Sequence, residues 1–144
     1  MTNPSRIVLA LGGTKALHAS VRSFEDLRGS ILRGLPYGTL EAVTANFGLP
    51  RALVVRVLLV PERTLVRRKA AARFHADESD RIVRLARIAA LAEDVLGSRD
   101  KAGRWLQKPN RALGGAVPLE QLTTDLGARQ VEDVLGRIEH GLVS

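Results

Sequence analysis

Five residues between positions 63 and 69 carry the chemistry most open to a specific reading: Arg63, Thr64, Arg67, Arg68 and Lys69. An Arg guanidinium can grip the O6 and N7 of a guanine through two parallel hydrogen bonds, and Lys and Thr suit phosphate oxygens. Around them, Arg51, Arg56, Arg63, Arg67, Arg68, Lys69 and Arg73 are opposed only by Glu62, which gives +6 over 23 residues of a chain whose net charge is +7. Such focusing points to an anionic partner, and nucleic acid is the commonest. Charge alone also fits a solvated basic face that aids solubility.

No comparable constellation speaks for catalysis. The three histidines, His18, His75 and His140, are far apart in sequence, and Cys is absent. Metal-ligand spacing, a nucleophile elbow and a phosphate loop are all missing. "LGGTK" at Leu11–Lys15 lacks the glycine spacing and the preceding strand that a phosphate loop requires. The sequence therefore reads as a non-enzyme with no metal and no cofactor. Without Cys there is no disulfide, which suits a cytoplasmic protein. No apolar run approaches the roughly 20 residues needed to span a bilayer.

The basic residues need an element to aim them. With 144 residues and 45% apolar content, the chain fits one domain or two small intimate ones. Aromatics make up only 3%, so the core must be aliphatic. Asn3-Pro4 starts a helix to about Leu11, and Leu17 to Val21 reads as briefly extended. Ser23–Asp26 is a capping-box-like start of a helix to Arg33. Thr39 reads as the cap of a helix through Phe47. Pro50 opens a further helix with Leu53, Val54 and Val57 on one face. A turn falls near Leu59-Val60, and Pro61 starts a second helix through about Ala72. Two short helices joined by such a turn make a helix-turn-helix. Leu65 and Ala72 would face inward and Arg63, Arg67 and Ala70 outward, with Thr64 and Arg68 flanking the outer side.

His75 or Asp77 then begins a long helix to Leu96. Its apolar stripe covers about half the circumference, as at the centre of a domain or on a dimer surface. A short helix over Asp100–Gln107 carries Trp105, which suits the core better than an interface. The last helix, capped by Thr124 or Asp125, places Val131, Val134, Leu135 and Ile138 at helical spacing.

Between these helices lies "PNRALGG". Pro109 ends the preceding helix, since a residue before proline avoids the α region. Asn110 can turn its amide onto local backbone, and Gly114 and Gly115 permit positive φ. Leu113 pins the corner to the core. Arg111 can reach carboxylates or helix-end carbonyls. The stretch reads as a shaped corner that fixes the angle of the last helices, with partner contact by Arg111 the lesser alternative.

Three blocks in order, "SDRIVRLARIAALAEDVLG", "AGRWLQKPNRALGGAVPLEQL" and "GARQVEDVLGRIEHGLVS", resemble the Xre-type antitoxins. More narrowly, they resemble the Xre/MbcA/ParS-like group that pairs with RES-domain toxins. The likeness is close over Ser79–Ser144 and looser back to about residue 20; where the family usually has Ser, this chain has His75. It implies an all-α fold, with an N-terminal helix-turn-helix domain (1–76, motif at about 50–73) followed by a small helical toxin-binding and dimerisation domain (77–144). It further implies a homodimer, a cognate toxin that consumes NAD and has its cleft covered by the antitoxin, and repression of its own operon. Two recognition helices of a dimer would then lie about 34 Å apart on operator DNA.

By composition alone the C-terminal residues read as a frayed end, with His140 placed favourably against the helix dipole. The resemblance makes them the toxin contact: Arg137, Ile138, His140, Leu142, Val143 and Ser144. Two other readings are a stand-alone dimeric helix-turn-helix regulator without a toxin and a scaffold that leaves no operator footprint.

Overall fold

Side-chain caps set several of the helix starts in the computed structural model, which describes residues 2–141. Asn3 accepts from the Arg6 amide, Ser23 from Asp26, Ser98 from Lys101 and Thr124 from Gly127. They open α1 (Pro4–Ala10), α3 (Phe24–Arg33), α8 (Arg99–Leu106) and α10 (Asp125–Glu139). Between and beyond these lie α2 (Gly13–Leu17), α4 (Gly38–Phe47), α5 (Arg51–Leu58), α6 (Glu62–Ala71), α7 (Ala76–Leu96) and α9 (Pro118–Gln121), with a short 3-10 turn at Arg111–Leu113. Among the described residues there are two isolated β-bridges and no strand.

Two local expectations are corrected. Past the end of α1 at Ala10, Gly12 and Gly13 take positive φ and the chain coils again as α2. Leu17 is thus the end of a helix rather than the start of an extended stretch. Thr39 is also not the cap of α4, which begins one residue earlier. Its buried hydroxyl instead donates to the Pro36 carbonyl at 2.8 Å.

The long helix α7 is the centre of the molecule, which resolves the choice its broad stripe left open. It packs against α1, α3, α4, α5, α8 and α10. Ile82, Leu85 and Ile88 are fully buried, as are Ala86, Ala89 and Ala92, whose small side chains let neighbouring helices approach. Buried Leu, Ile and Val of both halves, from Ile7 to Leu135, belong to one continuous core. Trp105 is half-buried against that core. Gly103 marks a tight crossing, because a Cβ there would overlap the Phe47 carbonyl of α4.

Arginines on α7 fasten helix ends to this axle. Arg81 donates to the Leu58 carbonyl at 3.0 Å and Arg84 to the Leu122 carbonyl at 3.2 Å. Both carbonyls lie at helix C-termini, where intrahelical donors run out. Arg87 pairs with Glu132 of α10. Arg56 of α5 reaches Glu120 of α9 at 3.1 Å, tying the basic segment to the C-terminal helices.

Candidate functional site

The helix-turn-helix forms where proline and apolar spacing place it. Val54, Val57 and Leu58 bury the inner face of α5. Leu59 then takes φ 58°, and Val60 and Pro61 complete a three-residue turn. A left-handed Leu costs about 1 kcal/mol, and the burial of Leu58 and Leu65 on either side holds it there. Pro61, at φ −65°, precedes the first residue of α6. Arg51 bonds Glu62 at 3.1 Å and so joins the starts of α5 and α6.

Only Thr64 and Leu65 are buried among the ten residues of α6. Its outer face presents Arg63, Val66, Arg67, Lys69 and Ala70 to solvent. Among the described residues, Arg63, Arg67 and Lys69 have no carboxylate within ion-pairing distance. Arg67 touches only the Thr64 hydroxyl, at 3.3 Å, of the polar side chains near it. This is an open cationic surface on a helix that meets the core chiefly through Leu65.

The structure places Thr64 and Arg68 on the inner side of α6 rather than flanking its outer face. Thr64 is buried against the body of the protein. Arg68 grips Glu78 with two hydrogen bonds, Nε to Oε1 at 2.7 Å and Nη2 to Oε2 at 3.0 Å. Glu78 is buried on the first turn of α7, and its Oε1 also accepts the His75 amide at 2.8 Å. Burial pushes this carboxyl up, but the Arg68 guanidinium and the His75 amide outweigh burial and hold it below its ordinary value. Sequence reading missed this latch, although the spacing from His75 to Glu78 is that of a capping box. It also missed Val66, whose side chain is 66% exposed beside the cations.

The corner is closed by Asn110. Its side-chain oxygen accepts the Ala112 amide at 2.9 Å, its amide donates to the Ala116 carbonyl at 3.0 Å, and its carbonyl accepts from Gly115 at 2.9 Å. Pro109 enters the loop, while Gly114 and Gly115 leave it at φ 67° and 88°. Leu113 packs on the core and Arg111 is exposed. The corner leans on α10, and between them lies a shallow concavity of about 280 Å³ lined by Leu113, Gln130, Asp133 and Arg137.

At the end of α10, Arg137 and His140 are exposed and share a second, more open hollow with Glu132 and Asp133. Ile138 turns the other way and packs against the core. Leu142, Val143 and Ser144 lie outside the described residues. No helix of the described residues is long and apolar enough to cross a membrane.

A helix-turn-helix with an exposed basic second helix, joined without a linker to a small helical module, defines a two-part regulatory protein. Comparison with known proteins gives both parts. Residues 26–87 match the Antitoxin Xre-like helix-turn-helix domain, and residues 91–141 match the Antitoxin Xre/MbcA/ParS C-terminal toxin-binding domain. The chain is 35% identical to Antitoxin Xre of Yersinia enterocolitica over 80% of its length and 79% of that protein's. It is 35% identical to Antitoxin Xre of Photorhabdus laumondii over 82% and 81% of the two chains. With Antitoxin Xre of Pseudomonas putida it shares 44% identity over 61% of this chain and 56% of that one. The chain belongs to the Xre antitoxin family.

Proposed function

We propose that this antitoxin neutralises a RES-domain toxin, one that consumes NAD, by covering the toxin's active site, and that as a homodimer it represses its own promoter. The helices up to residue 76 serve DNA and residues 77–144 serve the toxin and the dimer. The observation that carries the DNA half is the outer face of α6, where Arg63, Arg67 and Lys69 stand exposed and unopposed by acid. Thr64 and Arg68 act from behind this face by seating the helix. On the toxin side, the exposed Arg137 and His140 begin a contact that continues into Leu142, Val143 and Ser144. The Asn110 corner, with Arg111 beside it, fixes the angle at which α10 presents them.

Co-expression tests the toxin half. The full chain is expected to restore growth and cellular NAD to cells making the cognate RES-domain toxin, and loss of Leu142–Ser144 to remove the rescue. Rescue that survives that deletion takes the tail out of the interface. Continued NAD loss beside the intact chain ends the neutralisation reading.

A further inference from the structure

We propose that Val66 and Ala70 form an apolar reading strip on α6 that takes the 5-methyl group of thymine in the major groove, set between cations that hold the phosphates and guanines. This deepens the DNA-binding reading above and rests on it.

The strip is defined by position and surroundings. Thr64, Leu65 and the latched Arg68 fix the inward direction of α6. Val66 and Ala70, one turn apart, project to the opposite side. An apolar side chain 66% exposed on a helix with few core contacts gains nothing from the fold. Arg63 and Arg67 border it on one edge and Lys69 on the other. The nearest acid, Glu62, is tied to Arg51 and does not oppose them.

The charge around the strip selects its occupant. An apolar protein partner would leave three cations without counter-charges, whereas a DNA groove supplies phosphates on both sides and one apolar group, the thymine methyl, on its floor. The two side chains lie about 6 Å apart along the helix, close to two base-pair steps of about 3.4 Å. They therefore fit methyls on neighbouring or next-neighbouring pairs. Val fills the contact more fully than Ala, so Val66 carries more of the discrimination.

The experiment uses the full-length protein. A duplex is first selected from a random pool and then resynthesised with deoxyuridine in place of each thymidine in turn, which removes only the methyl. The wild type is expected to lose about fourfold in affinity at one or two positions, the weight of one buried methyl-sized group. Val66→Ser is expected to bind the thymidine and deoxyuridine duplexes alike at those positions while keeping its helical signal and melting point. Three results would overturn the proposal. Equal wild-type binding to every substituted duplex leaves DNA recognition standing and removes the methyl contact. Discrimination that persists in Val66→Ser and in Val66→Ser/Ala70→Ser assigns the methyl to other residues. Failure to enrich any duplex sinks the strip together with sequence-specific DNA binding itself.

Discussion

α6 and α7 follow one another in the chain and are built on opposite terms. In α7, ten of 21 residues are buried, and neighbours surround it on several sides. In α6, two of ten are buried, and the helix is held by Leu65, by the Arg68–Glu78 latch and by its two ends. Below it, the Ala72 carbonyl accepts the Tyr37 amide at 2.9 Å and the Leu35 carbonyl accepts the Phe74 amide at 2.9 Å. Stability is thus concentrated in one helix and exposed charge in the other. In α6 a few strong ties replace a broad interface, which leaves its outer face uncovered.

This contrast can be broken at the α7 end first. Leu85→Ala, at a fully buried site, is expected to cost about 3–4 kcal/mol in urea unfolding. A loss below about 1 kcal/mol would show that α7 is not the axle. Next comes the latch. Arg68→Ala leaves the buried Glu78 without its cation and is expected to cost about 2–3 kcal/mol, discounted because the guanidinium edge is partly in water. Faster amide exchange should appear in α6 ahead of α7, and equal acceleration throughout would refute a local tie.

The latch also has a pH signature. The folded state holds the Glu78 carboxyl below its ordinary value, so the unfolded chain binds the proton more readily. The stabilisation is present above the ordinary carboxylate range and fades as pH falls through the lowered folded value. Glu78→Gln should lack that acid-side component when unfolding free energy is followed from neutral pH downward. Smallest in stability is Arg67→Ala, expected to change unfolding by less than about 0.5 kcal/mol. It should nevertheless weaken promoter binding in a gel shift and reduce the salt slope by about 1. Unchanged affinity would remove Arg67 from the interface.

The sequence made helix starts readable where a short polar side chain caps them, as at Asn3, Ser23 and Thr124. The helix-turn-helix was legible from Pro61 and from the spacing of Val54, Val57 and Leu65. The facing of α6 was harder. Taking Leu65 and Ala72 as the inner pair tilts the wheel, because Ala72 sits at φ 65° and has already left the helix. The true inward direction runs through Thr64, Leu65 and Arg68. An ion pair between successive helices leaves no periodic trace, so Arg68 read as one more surface cation. The five-residue α2 was not legible, because a single helical turn that follows two glycines leaves no periodic pattern.

The matches to the two family domains, 26–87 and 91–141, meet in the middle of α7. The junction is a rod rather than a string, which sets the rules for grafting. Splicing one extra residue at position 89 would swing everything downstream by about 100°, while four would nearly restore the phase. Chimeras between relatives must therefore be cut in register with the helical turn, because the bearing of one half is written into the pitch of the other.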